Sequence, residues 1–400
     1  MRVLFVPAST PSHYFPMVPL IWACRAAGHE ICVVAQPWGD PLVVRSGTSM
    51  VTFAESFDTV AELARLRSEG TLGSTPSGPA GPLHQAMMRA QIRFAEEAAP
   101  EIVDLARDWR PDLVVADPIV LAAPLAAAAV GAPVVHHLWG PDYLRASAQH
   151  LYPGCGSAPE DWPEPLRELY ARHGCEPARE IAVATVDSWP ASMQIATTPA
   201  RLPVRFVPYN GSGVVPRSVL APPRGGRPRV LVTWGSMLAI REGVDTFPVL
   251  DVVKALQSHD AEVILAVIGA DRQWTRDLPP DVTVVENVPL NAIMPSCDAV
   301  VHHGGAGSIM TAAYYGVPQV TLAVTLDTQT CSDRLAAAGA AIALDRRTAT
   351  ADTLADAVTT VLTSDRIRDA ARALRAEVVA QPSPAEVAAQ VTALAAGDAA

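Results

Sequence analysis

The chain has 400 residues, 50% of them hydrophobic and 18% charged, which is core-forming composition and excludes a largely disordered chain. Its formal net charge of −11 disfavours binding to a nucleic-acid backbone, and no apolar run approaches the ~18 residues of a membrane-spanning helix. The six cysteines are scattered with no CxxC pair, so neither a disulfide framework nor a zinc site is expected, and a reducing cytoplasm fits best.

The N-terminal run Met1–Pro7 is too short and too soon broken by proline for a signal peptide. Val3 to Val6 run without alternation and predict a buried strand over residues 2–6. A helix is expected from Pro16 to Ala27, stopped by Gly28, and then a second apolar strand over Ile31–Ala35. Continuous apolar strands separated by helices imply a parallel sheet covered on both faces. The same grammar restarts at residues 229–233. It continues with a helix over Val249–Gln257, strands at 262–268, 282–285 and 299–301, a helix from about Ser308 and a strand over 319–324. Two such βαβ series predict an α/β chain of two doubly wound domains.

Prolines and glycines from Pro208 to Gly226 predict an interdomain linker. The expected division is 1–208, a linker over 209–226, and 227–400 with a C-terminal helix from Pro384. That helix has Ser383 as its cap, Pro384 at its first position and Glu386 completing a capping box. Gly70 to Pro82 is a loose stretch, read either as a surface loop or as a mobile wall over a binding cleft.

The sharpest motif is Val300 to Ser308, in which a buried strand ends, glycines turn the chain and a helix opens near Ser308. Glycines let a backbone approach an anion closely, and the first N–H groups of the helix then hold it. His303 adds a side-chain donor, and Ser308 either caps the helix or donates its hydroxyl to a phosphate oxygen. No lysine follows the glycines and the pattern is not GxGxxG, so neither a Walker loop nor a dinucleotide fingerprint is present. The first strand-to-helix loop, Pro7 to Pro16, has no glycine, which speaks against a nicotinamide dehydrogenase.

HHGGAGS, the following Tyr315–Gln319 and Asp327 together resemble nucleotide-sugar-dependent glycosyltransferases of the GT-B fold. The likeness is strongest to actinobacterial enzymes that glycosylate polyketide natural products. It extends to the opening segment through Glu30, to His136–Asp142 and to Val207–Gly213. The resemblance implies two Rossmann-like domains facing across a cleft. The N-terminal one would take a hydrophobic polyketide acceptor, and the C-terminal one a nucleotide-diphosphate sugar donor.

On the donor side the resemblance assigns His303, Gly305, Ala306, Gly307 and Ser308 to the diphosphate. It places Ser236 near the phosphates and Val288 at the nucleobase through its backbone. The family's sugar-contacting Asp-Gln pair is Asp327-Thr328 here, with Gln329 one place later, so either Asp327 or Gln329 is the surviving contact. A sugar with few hydroxyls would suit that departure.

On the acceptor side it implies His13 as general base, since a histidine takes a proton near neutral pH. Asp117 matches the carboxylate that orients it, and Asp142 is a second carboxylate candidate. His136, His137 and Trp139 are read either as acceptor-pocket lining or as buried packing. Inversion at the anomeric carbon is implied. No DxD-like acidic pair sits beside the loop, so no metal and no cofactor are required. A homodimer is an open expectation. Two other readings stand beside this one, a non-catalytic sugar-nucleotide-binding helper and a sugar-nucleotide epimerase.

Overall fold

The computed structural model describes residues 1–68, 82–146, 152–235, 248–257, 260–268, 275 and 278–397. The chain divides into two compact units, Met1–Ser188 with Gln194–Arg205 and Pro382–Ala400, and Trp189–Met193 with Phe206–Gln381.

The N-terminal unit holds strands β1 (Arg2–Val6), β2 (Glu30–Ala35), β3 (Met50–Thr52), β4 (Leu113–Ala116), β5 (Val134–His137), β6 (Ala184–Asp187) and β7 (Arg201–Pro203). They form one parallel sheet in the order β3-β2-β1-β4-β5-β6-β7. The C-terminal unit holds β8 (Arg229–Thr233), β9 (Glu262–Val267), β10 (Thr283–Glu286), β11 (Ala299–His302), β12 (Gln319–Ala323) and β13 (Ala341–Asp345). Their order, β10-β9-β8-β11-β12-β13, has the same pattern. Each unit is thus doubly wound. The order reverses at β1/β4 and at β8/β11. In open α/β sheets a ligand binds beyond the carboxyl ends of the strands at such a reversal.

The central strands are buried on both faces, as their unbroken apolar runs require: Val3, Leu4, Phe5 and Val6 are fully buried, as are Val230, Leu231 and Val232. Burying each such side chain contributes roughly 1.5–3 kcal/mol, so these strands are the firmest part of each unit. The sequence reading passed over the 28-residue helix Pro82–Trp109. Ile92, Ala95, Ala99, Ile102 and Ala106 recur at helical spacing on its buried face, a signal that was open to inspection.

Residues 209–226 are not a free connection. They lie within the C-terminal unit, where Val219 is buried with Leu231, Val288, Ile293 and Ala312. Proline and glycine prevent regular structure there without preventing packing. The chain passes between units at 188–189, 193–194, 205–206 and 381–382 instead. The C-terminal helix, Pro384–Ala396, also departs from expectation, because it belongs to the N-terminal unit and packs on the helix Val18–Ala26. Its start is as the sequence predicts: the Ser383 hydroxyl accepts the Glu386 N–H at 3.2 Å, and Glu386 accepts the Ser383 N–H at 2.7 Å. The stretch from Gly70 to Pro82 lies outside the described residues up to position 81.

Candidate active site

In the N-terminal unit the strand reversal brings two distant residues together. β1 pairs with β4 in parallel, with Val6 opposite Ala116. The chain continues from one into the short helix Pro11–Tyr14, which carries His13, and from the other directly into Asp117. The His13 Nδ1 lies 2.6 Å from the Asp117 Oδ2. The Asp117 side chain is completely buried and that of His13 is 15% exposed. Asp117 is itself fixed: its N–H donates to the Val6 carbonyl at 3.0 Å, and its Oδ1 accepts the Ile119 N–H at 3.1 Å. A carboxylate oxygen accepts, so this bond uses the Nδ1–H of His13 and leaves Nε2 as the nitrogen not engaged by Asp117. Trp139 stacks on the imidazole with ring centroids 4.3 Å apart and sets the plane of the ring.

The other N-terminal candidates take structural places. Asp142 is buried, accepts the Thr198 hydroxyl at 2.7 Å and pairs with the Arg145 Nε at 3.2 Å. Arg145 also forks onto the exposed Glu180, so Asp142 is the buried end of an ion-pair network. Burial pushes its carboxyl above the usual range, against the Thr198 and Arg145 contacts. Of the two readings of His136 and His137, packing is the one their burial supports. Burial holds the His136 imidazole down at about 3, with Arg145 adding to the effect, and holds that of His137 down at about 4.

In the C-terminal unit the reversal sets the ends of β8 and β11 side by side, with His302 opposite Thr233. The two adjacent histidines divide the work. His302 is fully buried, and its Nδ1 accepts the Gly304 N–H at 3.1 Å. Its Nε2 therefore donates to the Gln319 Oε1, at 2.9 Å, and Gln319 in turn donates to the Ile309 carbonyl at 3.3 Å. This buried chain holds the glycine turn against the helix that follows. Gly304 sits at φ +85°, and a Cβ there would strike the Ser332 hydroxyl.

His303 is half-buried, and the Cε1–Nε2 edge of its imidazole lies against Gly235 and Gly305. A Cβ at Gly235 or at Gly305 would collide with the ring. Sequence reasoning passed over Gly235, although it follows β8 just as the glycine turn follows β11. The helix Ala306–Tyr315 starts earlier than expected, with Gly305 as its cap and Ser308 inside the first turn. Its first internal bond runs from the Ile309 N–H to the Gly305 carbonyl at 3.0 Å. The N–H groups of Ala306, Gly307 and Ser308 precede that bond and point out of the helix end, where its dipole is positive.

Val288 spends its side chain in the core with Ile293 and Ala312. Ser236 lies outside the described residues. Asp327 is in the first turn of the helix Leu326–Ala337. Thr328 is turned inward, its hydroxyl accepting the Thr325 N–H at 3.0 Å as part of a capping box. Gln329 donates to Asp333 at 2.8 Å along the same helix.

Residues 22–235 match the family described as "Erythromycin biosynthesis protein CIII-like, N-terminal domain", and 250–394 match its C-terminal domain. The chain is 34% identical to the tylactone mycaminosyltransferase of Streptomyces fradiae, covering 96% of this chain and 90% of that protein. It is also 34% identical to the 3-alpha-mycarosylerythronolide B desosaminyl transferase of Saccharopolyspora erythraea, over 99% of both chains. Among solved structures, the glycosyltransferase VinC in complex with dTDP superposes with a TM-score of 0.81 at 30% identity, covering 99% of this chain and all of that one.

Proposed function

The chain belongs to the erythromycin biosynthesis protein CIII-like family and is a glycosyltransferase, and on that footing we propose that it moves a deoxysugar from a thymidine-diphosphate donor to a polyketide aglycone in antibiotic biosynthesis. The observation that carries the mechanism is the His13–Asp117 pair at 2.6 Å.

In this reading Nε2 of His13 takes the proton from the acceptor nucleophile as that atom attacks the anomeric carbon. The bond from that carbon to the diphosphate oxygen breaks, and the electron pair leaves with the diphosphate. Asp117 stabilises the imidazolium that forms and holds the ring in the productive tautomer. Attack opposite the leaving group inverts the anomeric centre. Charge grows on the diphosphate, where His303 and the N–H groups of residues 305–308 are proposed to meet it. Fixed dipoles aimed at developing charge need no reorganisation, and that is how they lower the barrier. Asp142 is assigned no proton-transfer role, since its carboxylate is committed to Arg145 and Thr198. Asp327 or Gln329, both in the N-terminal part of the helix Leu326–Ala337, is the proposed sugar contact. We place the reaction in the cytoplasm, a reading supported by six cysteines that are in no disulfide among the described residues.

The test is mass spectrometry of products from a panel of thymidine-diphosphate deoxysugars and polyketide aglycones. The expected product has the mass of aglycone plus sugar minus water. Epimerised donor without acceptor, or donor binding with no glycoside from any acceptor, would overturn the proposal. On the donor side, His303→Ala should weaken nucleoside-diphosphate binding by about 1.5–3 kcal/mol, the range for a bond to a charged group. Calorimetry reads this directly, and an unchanged affinity removes His303 from the site.

A further inference from the structure

The segment read from sequence as a linker carries a feature that neither the glycine motif nor the nucleobase stretch explains. Asn210 spends its whole side-chain amide on two separate elements of the C-terminal unit. Its Oδ1 accepts the Asn291 N–H at 3.0 Å, and its Nδ2 donates to the Thr311 hydroxyl at 3.1 Å. The Thr311 hydroxyl donates in turn to the Gly307 carbonyl at 2.7 Å. Each partner is strategically placed. Asn291 is in the first turn of the helix Leu290–Ile293, directly after Val288 and Pro289, and its N–H is one that the helix itself leaves unbonded. Thr311 is fully buried in the glycine-loop helix, one turn after Gly307.

The same segment also lies flush against the backbone leading into that turn. A Cβ on Gly213 would strike the Asn287 carbonyl and come within 2.8 Å of the Pro289 Cδ. Asn287 itself is held at φ +54°, in the left-handed region that non-glycine residues seldom occupy. Nearby, Val219 shares one apolar cluster with Val288 and Ala312.

We infer that Asn210 is a positioning residue that locks the 287–291 stretch to the first turns of the glycine-loop helix, so that a nucleoside diphosphate is gripped at its base and its phosphates at once. The inference rests on the donor-site reading above. The physical consequence is specific. A ligand that spans two subsites gains from both only when their spacing matches the ligand, whereas a fragment that touches one subsite is indifferent to the spacing.

The experiment measures Kd for thymidine diphosphate, thymidine and inorganic pyrophosphate by ligand-observed NMR, on the wild-type chain, Asn210→Ala and Thr311→Val. Thr311→Val keeps the shape of the helix face and removes only the hydroxyl that Asn210 binds. Each variant should lose roughly tenfold in thymidine-diphosphate affinity and less than about twofold for thymidine or for pyrophosphate. A uniform loss for all three probes, or no loss for the diphosphate in a folded Thr311→Val variant, overturns the positioning role. A wild-type chain that fails to bind thymidine diphosphate overturns the donor-site reading itself.

Discussion

His13→Ala should cut turnover by ~10²–10⁴-fold, the range for removing a positioned base, with nucleoside-diphosphate binding retained. Asp117 is buried and cannot leave, and it holds the Nδ1–H so that Nε2 is the basic atom. Removing the imidazole takes away the proton acceptor and leaves the C-terminal unit untouched. The loss should be smaller on a phenolic acceptor, whose proton departs more readily. Asp117→Asn should act in the same direction, because an amide aimed at Nδ1 favours the wrong tautomer. Stopped-flow or endpoint turnover beside donor calorimetry separates the possibilities. Near-normal turnover of His13→Ala would mean that the base is elsewhere, and loss of donor binding would move His13 to the donor site.

Stability should fall steeply between pH 6.5 and 4. His136, His137 and His302 are buried, and burial holds their imidazoles at about 3, 4 and 4. Unfolded, each titrates near 6.5. Within that window the unfolded chain binds protons that the folded chain refuses, so stability is complete above about 6.5 and declines as the pH falls. The slope is at most about 1.4 kcal/mol per pH unit for each histidine. Two of the three belong to the N-terminal unit, which should therefore lose more. The raised Asp142 carboxyl works in the opposite sense and blunts the slope. Urea unfolding at pH 7, 6 and 5 reads the effect. A flat profile, or an unchanged slope in His137→Gln, would show that these side chains do not titrate across unfolding.

Much of the chain was legible before folding. The continuous apolar runs at 2–6, 31–35, 229–233 and 299–301 can be satisfied only by strands covered on both faces, and that is where they lie. The glycine turn before a helix was equally readable, because left-handed backbone and an open helix end are local properties. Of the two histidines of the motif, His303 is assigned through the resemblance, and His302 is given no role by the sequence. His302 is the last residue of β11 and meets Gln319 on the neighbouring β12, while His303 falls between Gly235 and Gly305. Gln319 and Gly235 are brought there by strand pairing rather than by nearness in sequence.

The same reason accounts for the rest. His13 and Asp117 are 104 residues apart and meet because β1 and β4 pair in parallel with Val6 opposite Ala116. Gln329 is a candidate through the resemblance, and its contact with Asp333 follows from one turn of helix. Residues 209–226 looked like a linker because proline and glycine forbid regular structure. Their side-chain contacts with Asn291 and Thr311 tie them into the C-terminal unit. The C-terminal helix showed its cap in the sequence but not its partner. Local propensity and hydrogen-bond demand determine where elements start and stop. Which distant groups share a site is decided by sheet register and by which buried faces fit together, and those are properties of the whole chain.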